Sequence, residues 1–274
     1  MAETTIGRPA LAAAARTRAG RTRAWAFGRV LLTLAPPVAL LLIWEIGAQT
    51  GWINVQFFPA PSTIGVKFWE MIQTVQFWDD IGISLQRMAI GFLMGGVPGL
   101  LLGLAMGLFR PVRVIFQPLV AALYPLPKIA LLPLIMLIFG LGEMSKYFTV
   151  AIGVFFLMTI NTMAGVLNVP SIYLDVANNL HASRWKIYTT VALPGALPGI
   201  FTGLRICVGV ALILLVAAEF VGADSGIGYR IWWSWSVFWV EQMYVGFAVI
   251  ALLGFLSAYA VDWLERKFLP WQRR

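Results

Sequence analysis

Few residues of this 274-residue chain have the types and spacing that catalysis requires. The single histidine, His181, cannot form a multi-histidine metal site. The single cysteine, Cys207, lies in an apolar run where a small packed side chain is expected. The sequence has no Gly-Lys pair, so it lacks the loop that cradles nucleotide phosphates. We therefore predict a non-catalytic chain with no metal and no cofactor of its own.

Ionisable residues next to or inside long apolar runs are the other chemical signal. Such residues are costly in a membrane and are candidates for function. Lys128 lies in a proline-rich apolar run, where it could attract an anion or contact a backbone carbonyl. Arg87 and Glu219 lie near the ends of other runs, where they could contact a substrate or pair between helices or subunits. Lys128, Arg87 and Glu219 are our candidates for functional residues of this kind.

The elements that position these residues belong in a membrane. Residues of the AVILMFWYC class make up 60% of the chain, charged residues make up 12%, and the mean hydropathy is +0.82. A soluble domain has roughly twice that charged fraction. This chain therefore has too few charged residues to cover the surface of a soluble protein. The same numbers exclude three other classes of protein: an intrinsically disordered chain, a disulfide-stabilised scaffold and a nucleic-acid-binding domain.

The apolar runs predict an all-α integral membrane protein with about six transmembrane helices, since about 20 apolar residues cross a bilayer. The predicted spans are residues 30–46, 87–109, 112–139, 147–167, 198–221 and 243–263. The third contains four prolines and is expected to be kinked or broken. A glycine stripe at i, i+4 spacing in the second predicts close helix packing; it comprises Gly91, Gly95, Gly99, Gly103 and Gly107.

Basic residues set the predicted orientation, because cytoplasmic segments are enriched in Lys and Arg. With the N-terminus inside, fourteen Lys and Arg residues lie in inner segments and four lie outside or at the outer boundary. Both termini are therefore predicted to be cytoplasmic. The predicted domains are a disordered basic tail (1–28), a six-helix domain (29–268) and a second basic tail (269–274). The net charge of +8 also favours contact with anionic membrane lipid.

Two outer segments have amphipathic or aromatic character. Residues 62–77 have apolar side chains at helical spacing, which predicts a helix lying on the membrane surface. Residues 222–242 contain four tryptophans. These could form an interfacial aromatic belt or a docking surface for an external partner.

The longest polar stretch on the inner side is the loop at residues 170–194. Ser171 could cap a first helix, and 178–179 and 182–183 permit a turn before a second one. A helix–turn–helix here would present a rigid surface to a cytoplasmic partner. A simple connector that lies along the membrane surface is the alternative.

The loop resembles the cytoplasmic loop of ABC-importer permeases, which reads Glu-Ala-Ala, three residues, Gly, nine residues and Ile-x-Leu-Pro. Here the sequence reads Asp175-Val176-Ala177, three residues, His181, nine residues and Val191-Ala192-Leu193-Pro194. Every spacing fits. His181 replaces Gly, whose backbone adopts angles that histidine resists, so we expect any departure in turn geometry to lie there.

Other segments agree with the same family. Residues 58–62, 84–87, 217–220 and 226–229 are similar to its core, and 124–128 with 139–143 resemble the subgroup that serves nitrate, sulfonate, taurine and bicarbonate importers. The resemblance covers roughly residues 40–270. It implies a type I ABC importer permease fold in the bacterial plasma (inner) membrane.

The resemblance implies a subunit that forms the translocation pathway for a small, anionic solute, with Lys128, Arg87 and Glu219 as the candidate pathway residues. Its partners would be a second permease copy, two cytoplasmic ATPase subunits that bind the ATP, and an external solute-binding protein. The ATPase-coupling residues would be Asp175, Val176, Ala177, His181, Ala182, Ser183, Leu193 and Pro194. A stand-alone secondary carrier or channel is the alternative function, but it would leave the inner loop unexplained. A membrane enzyme would need a reactive cluster that we do not find.

Overall fold

The computed structural model describes residues 32–272, which are helical and contain no strand. The predicted tail at 1–28, the first residues of the first span and residues 273–274 lie outside this range. The described residues belong to two compact units, one ending at Val66 and one beginning at Lys67. Everything below concerns the second unit unless stated otherwise.

Eleven α-helices are described in residues 32–272, together with short 3-10 and π segments. In chain order they are α1 Leu32–Gln49, α2 Pro61–Met71, α3 Val75–Leu108, α4 Arg110–Leu123, α5 Leu132–Phe139, α6 Glu143–Leu167, α7 Ser171–Asn179, α8 Arg184–Ile187, α9 Leu193–Gly222, α10 Ile227–Ser236 and α11 Val240–Phe268. The 3-10 segments are Lys128–Leu131 and Pro270–Gln272, and the π segment is Tyr188–Ala192.

Five of these helices are long and apolar enough to cross a membrane, and there are six spans when the bent pair of α4 and Lys128–Phe139 is counted as one. The prediction of about six spans is confirmed. The second span differs most, because its helix begins at Val75 rather than at Arg87. Hydropathy detected only its apolar part. The polar side chains before that part, including Asp80 and Ser84, are buried among other helices and allow the helix to continue.

The third span is broken, as the prolines predicted. Helix α4 meets the segment Lys128–Phe139 at an angle of 87°. Pro125 and Pro127 lie in the break. Proline has no amide hydrogen for the helical ladder, so each of these residues weakens the continuation of α4.

The glycine stripe of α3 packs against α6 of the same chain, which confirms the predicted close packing. A Cβ at Gly95 would lie 2.0 Å from the carbonyl oxygen of Ala151, and one at Gly103 would lie 2.6 Å from that of Thr159. Only glycine permits such backbone contact. On its other side α6 packs on α9, where a Cβ at Gly199 would lie 2.6 Å from the Cα of Gly165.

Helices α6 and α9 run in opposite directions and form the centre of the unit. Gly153 lies beside Leu214, and Asn161 lies beside Gly203, so the pairing is antiparallel. One end of this pair carries the segment 168–192 that joins the two helices. The other end carries Glu143 and Glu219. Two long, closely packed helices therefore join the two ends.

Two outer segments differ from the sequence-based prediction. The helix predicted over 62–77 ends at Met71, and Val75 already belongs to α3. Thr74 has an extended backbone between the two helices, which separates them. The tryptophan-rich stretch 222–242 contains a helix, α10, that the sequence analysis did not predict.

Candidate functional site

The loop predicted to couple the chain to an ATPase forms a helix–turn–helix. Its first helix is α7 and its second is α8, with the turn at residues 180–183. Asp175 is exposed on α7. Large apolar side chains are also exposed, with Leu180 and Trp185 each 76% accessible. Exposed apolar side chains beside a charge are typical of a protein-binding surface.

The turn is closed by a helix-ending motif centred on His181. Its backbone φ is 51°, in the left-handed region that favours glycine. Its amide donates to the carbonyl of Asn178 at 2.9 Å, and the amide of Ala182 donates to that of Ala177 at 3.1 Å. This pair of bonds defines a Schellman motif. His181 therefore adopts the conformation for which a glycine would be the usual choice, with Ala182 and Ser183 directly after it.

The second half of the loop continues without a gap into α9. Residues Tyr188–Ala192 form a π segment, and the amide of Leu193 donates to the carbonyl of Tyr188 five residues earlier. Pro194 follows directly as the second residue of α9 and has no amide hydrogen to donate to the preceding turn. Leu193 and Pro194 thus join the loop to the fifth span.

An open groove of about 900 Å³ lies between the two halves of the loop. Its lining includes Val176, Ala177, His181 and Ser183 from the loop, and Trp271 from the C-terminal segment. Six of the eight predicted coupling residues contribute to this one surface. They are Val176, Ala177, His181, Ala182, Ser183 and Pro194.

At the opposite end of the α6–α9 pair, Arg87 and Glu219 pair with each other. The distance between Arg87 Nη1 and Glu219 Oε1 is 2.9 Å, and both residues are almost fully buried. Arg87 also forms a two-point contact with Glu143, with Nε–Oε2 at 2.7 Å and Nη2–Oε1 at 2.6 Å. Its Nη1 also donates to the carbonyl of Ser225 at 2.6 Å. The predicted alternative of an interhelix pair is the arrangement seen.

Glu219 is held by polar groups from three directions. It accepts hydrogen bonds from the Ser84 hydroxyl at 2.8 Å and from the amide of Gly228 at 2.8 Å, besides the contact with Arg87. The Ser84 hydroxyl in turn accepts from the amide of Ile227 at 2.9 Å. A buried carboxylate requires such compensation for its lost hydration.

A second ion pair extends this network to α10. Asp80 accepts from Arg230 Nε at 2.9 Å and Nη2 at 2.6 Å, and from the amide of Gly226 at 2.8 Å. Gly226 has φ 107°, and a Cβ there would lie 2.5 Å from Glu219 Oε1. This glycine is required both for its backbone angle and for the space that the network occupies.

Lys128 lies apart from these residues, at the break of the third span. Its Nζ donates to the carbonyls of Leu123, Tyr124 and Leu126 at 3.1, 2.7 and 2.7 Å. It lies 5.0 Å from the centre of the Phe156 ring. An ammonium group has three donors. In this conformation all three serve the carbonyl-rich end of α4, which agrees with the predicted alternative of carbonyl contact.

The structure thus brings the predicted coupling residues to one end of the α6–α9 pair, and Arg87 with Glu219 to the other. Sequence reasoning did not name four members of the network as site residues: Asp80, Glu143, Lys146 and Arg230. Their signal was the presence of both charge signs at helix ends. No local pattern indicates which of these charges meet. No group of side chains suited to a metal ion occurs within residues 32–272.

Together, the six spans, the broken third span and the exposed loop define the fold of a type I ABC importer permease. Residues 99–274 match the family described as the inner membrane component of binding-protein-dependent transport systems. The chain belongs to this family. It is accordingly a multi-pass inner membrane protein and a permease component of an ABC transporter.

Relatives and solved structures agree with this assignment. The chain is 34% identical to Bacillus subtilis SsuC, named as an aliphatic sulfonates transport permease, over 95% of this chain and 93% of SsuC. It is 33% identical to the taurine transport permease TauC of Escherichia coli, over 90% and 92% of the two chains. A bacterial ABC transporter involved in alginate import has a similar fold, with a TM-score of 0.60 and 16% identity over 89% of this chain and 99% of that one.

Proposed function

We propose that this chain is the permease subunit of an ATP-driven importer and forms the pathway for a small anionic solute delivered by a solute-binding protein. The observation that carries the proposal is the exposed helix–turn–helix between α6 and α9. Its surface combines Asp175 with apolar side chains, and its second half continues through the π segment into α9. Such a surface suits a partner that transmits mechanical work.

The proposed assembly contains two copies of the chain, two cytoplasmic ATPase subunits and an external solute-binding protein. ATP is bound by the ATPases, and the permease contributes no cofactor and no catalytic residue. The coupling residues are Asp175, Val176, Ala177, His181, Ala182, Ser183, Leu193 and Pro194. Both termini and the loop face the cytoplasm, in keeping with the distribution of basic residues.

Close packing explains how the loop could transmit movement. At the loop end, a Cβ at Gly165 would lie 2.9 Å from the carbonyl of Ala196, so α6 and α9 have no space to slide independently. Val166 and Ala196 are buried in the same apolar cluster. A displacement of α7 and α8 by an ATPase would therefore move the adjacent ends of α6 and α9 together, as a rigid body.

The solute class is supported by the relatives named for sulfonate and taurine transport. Nitrate, sulfonates, taurine and bicarbonate are the candidates that the subgroup resemblance suggests. The shared chemistry is a compact oxyanion.

Transport measurements test the proposed coupling. In cells that also express the proposed ATPase and binding-protein partners, we expect Asp175→Arg to insert normally and to lose uptake of radiolabelled taurine or ethanesulfonate. Reversing the charge would oppose a basic partner group or disturb the exposed helix. Asp79→Arg makes the same change at an exposed aspartate of α3 and should keep uptake. Normal uptake by Asp175→Arg would contradict the coupling assignment, and uptake without any ATPase would favour a stand-alone carrier.

A further inference from the structure

The Glu143 carboxylate lies between two buried cations. Arg87 contacts both of its oxygens, and Lys146 Nζ lies 3.4 Å from Oε1. The side chains of Arg87 and Lys146 are only 2% and 3% exposed, whereas that of Glu143 is 46% exposed. The accessible carboxylate of Glu143 thus occupies a position whose charged neighbours, Arg87 and Lys146, are both buried cations.

The two carboxylates bound to Arg87 are held very differently. Glu219 is fully buried and is fixed by Ser84 and by the amide of Gly228. Glu143 is the first residue of α6, and its described partners in this contact are Arg87 and Lys146. Rotation of its side chain toward solvent would require no change in the helix backbone. Glu219 is therefore a fixed counter-ion, and Glu143 is an exchangeable one.

Charge balance defines what could replace Glu143. Arg87, Lys146, Glu219 and Glu143 carry formal charges that sum to zero. When Glu143 turns into solvent, the remaining three carry a charge of +1. A monovalent anion would restore neutrality, which matters because uncompensated buried charge is expensive.

The geometry favours an oxyanion over a spherical ion. The Arg87 Nε and Nη2 donors lie side by side, as their distances of 2.7 and 2.6 Å to the two Glu143 oxygens show. A guanidinium edge of this kind binds two oxygens of a carboxylate, sulfonate or nitrate group at once. Lys146 adds a further positive charge beside the same position.

We propose that Arg87 and Lys146 form a binding site for a small monovalent oxyanion, and that Glu143 occupies this site as an internal substitute when no such anion is bound. The proposal rests on the proposed function, because it identifies the anion with the transported class of solute. The site binds the anion by exchange, so the carboxylate of Glu143 is released to solvent as the oxyanion enters.

Exchange has a measurable consequence for affinity. If the conformation with Glu143 turned away is populated at about 0.1–10%, the apparent affinity of the wild type is lowered about 10- to 1,000-fold relative to an open site. Glu143→Gln removes the competing charge and nearly preserves the shape. Its half-saturating anion concentration should be at least about tenfold lower than that of the wild type.

The test uses the full chain in phosphatidylcholine nanodiscs, with methanesulfonate as the probe and chloride at equal ionic strength as the reference. The thermal unfolding midpoint is followed against probe concentration, because a ligand that binds the folded state stabilises it. We expect a saturable, sulfonate-specific rise in the wild type and the same rise at lower concentration in Glu143→Gln. Glu70→Gln is the matched control, since Glu70 forms an exposed pair with Lys67 at 2.9 Å; it should behave as the wild type.

Three results would overturn the proposal. One is a Glu143→Gln protein that unfolds cooperatively but shows no sulfonate-specific rise. Another is equal half-saturation in the wild type and in Glu143→Gln. The third is loss of the rise when phosphatidylglycerol is included, which would identify a lipid headgroup as the ligand. Capture of an ATPase by the same protein is measured separately. Absence of sulfonate binding with capture of an ATPase would refute only this site, and absence of an ATPase with sulfonate binding would refute only the transport assignment.

Discussion

Two non-glycine residues within 32–272 have positive φ, and they occupy equivalent positions. His181 has φ 51° and Phe238 has φ 58°. Like His181, Phe238 ends a helix in a Schellman motif, with its amide bound to Trp235 at 3.2 Å and the next amide, that of Trp239, bound to Ser234 at 2.8 Å. Each places an exposed side chain where glycine is favoured. The conformation was not predicted at Phe238, whose side chain gives no sign of it. At His181 the one sign was the glycine that stands at this position in the resembling loop.

The stability of the loop should respond to His181. A left-handed conformation costs a residue with a Cβ about 1–2 kcal/mol. We expect His181→Gly to raise the free energy of unfolding by about 1 kcal/mol, since glycine loses some of this gain to its flexibility in the unfolded chain. His181→Ala should give no such gain, because it retains the Cβ. Thermal unfolding in detergent measures both, and equal stabilisation by the two variants would refute the argument from backbone conformation.

At the scale of the elements, two glycines distinguish the effect of a close helix–helix contact from the effect of intrinsic helix propensity. Gly95 of α3 and Gly209 of α9 both lie inside long helices, but only Gly95 faces another backbone closely. We expect Gly95→Ala to destabilise the protein by about 1–3 kcal/mol through overpacking against α6. Gly209→Ala, with nothing within 4 Å of its Cβ, should stabilise it by about 0.5–1 kcal/mol. Unfolding midpoints that shift in the same direction for both variants would be inconsistent with the α3–α6 contact.

The helices show what sequence patterns can and cannot supply. Apolar runs predicted the spans, and prolines predicted the break before Lys128. The turn of the loop was expected at 178–179 and 182–183, but Asn178 and Asn179 belong to α7 and the turn occupies residues 180–183. Hydropathy failed at Val75, because the polar residues that follow are buried by partners distant in sequence. The network itself joins residues 132 positions apart at Arg87–Glu219 and 150 apart at Asp80–Arg230. Such pairing depends on the packing of α3 against α9 and α10, which no local pattern encodes.

At the scale of the whole molecule, the α6–α9 pair connects two surfaces of different chemistry. One end carries the exposed loop with Asp175, and the other carries the charge network with Arg87 and Glu143. In the proposed orientation the loop faces the cytoplasm and the network lies near the external surface. In the proposed mechanism, movement caused by binding at one end would reach the other end through these two helices.

Orientation can be tested with single cysteines. Ser183 of the loop and Ser236 at the end of α10 are exposed, whereas the native Cys207 is fully buried. We expect a membrane-impermeant maleimide to label Ser236→Cys in spheroplasts and Ser183→Cys only in inverted membrane vesicles. The wild type should remain unlabelled in both. The opposite pattern would place the loop outside and would exclude a cytoplasmic ATPase as its partner.

The central claim is that the loop at 170–194 binds an ATPase. The most direct test is to cross-link native membranes, purify the tagged chain, and identify stoichiometric partners by mass spectrometry for the wild type, Asp175→Arg and Asp79→Arg. We predict that an ATPase subunit accompanies the wild type and Asp79→Arg and is lost from Asp175→Arg. Cross-linked membranes that yield no ATPase with the wild type would contradict the claim.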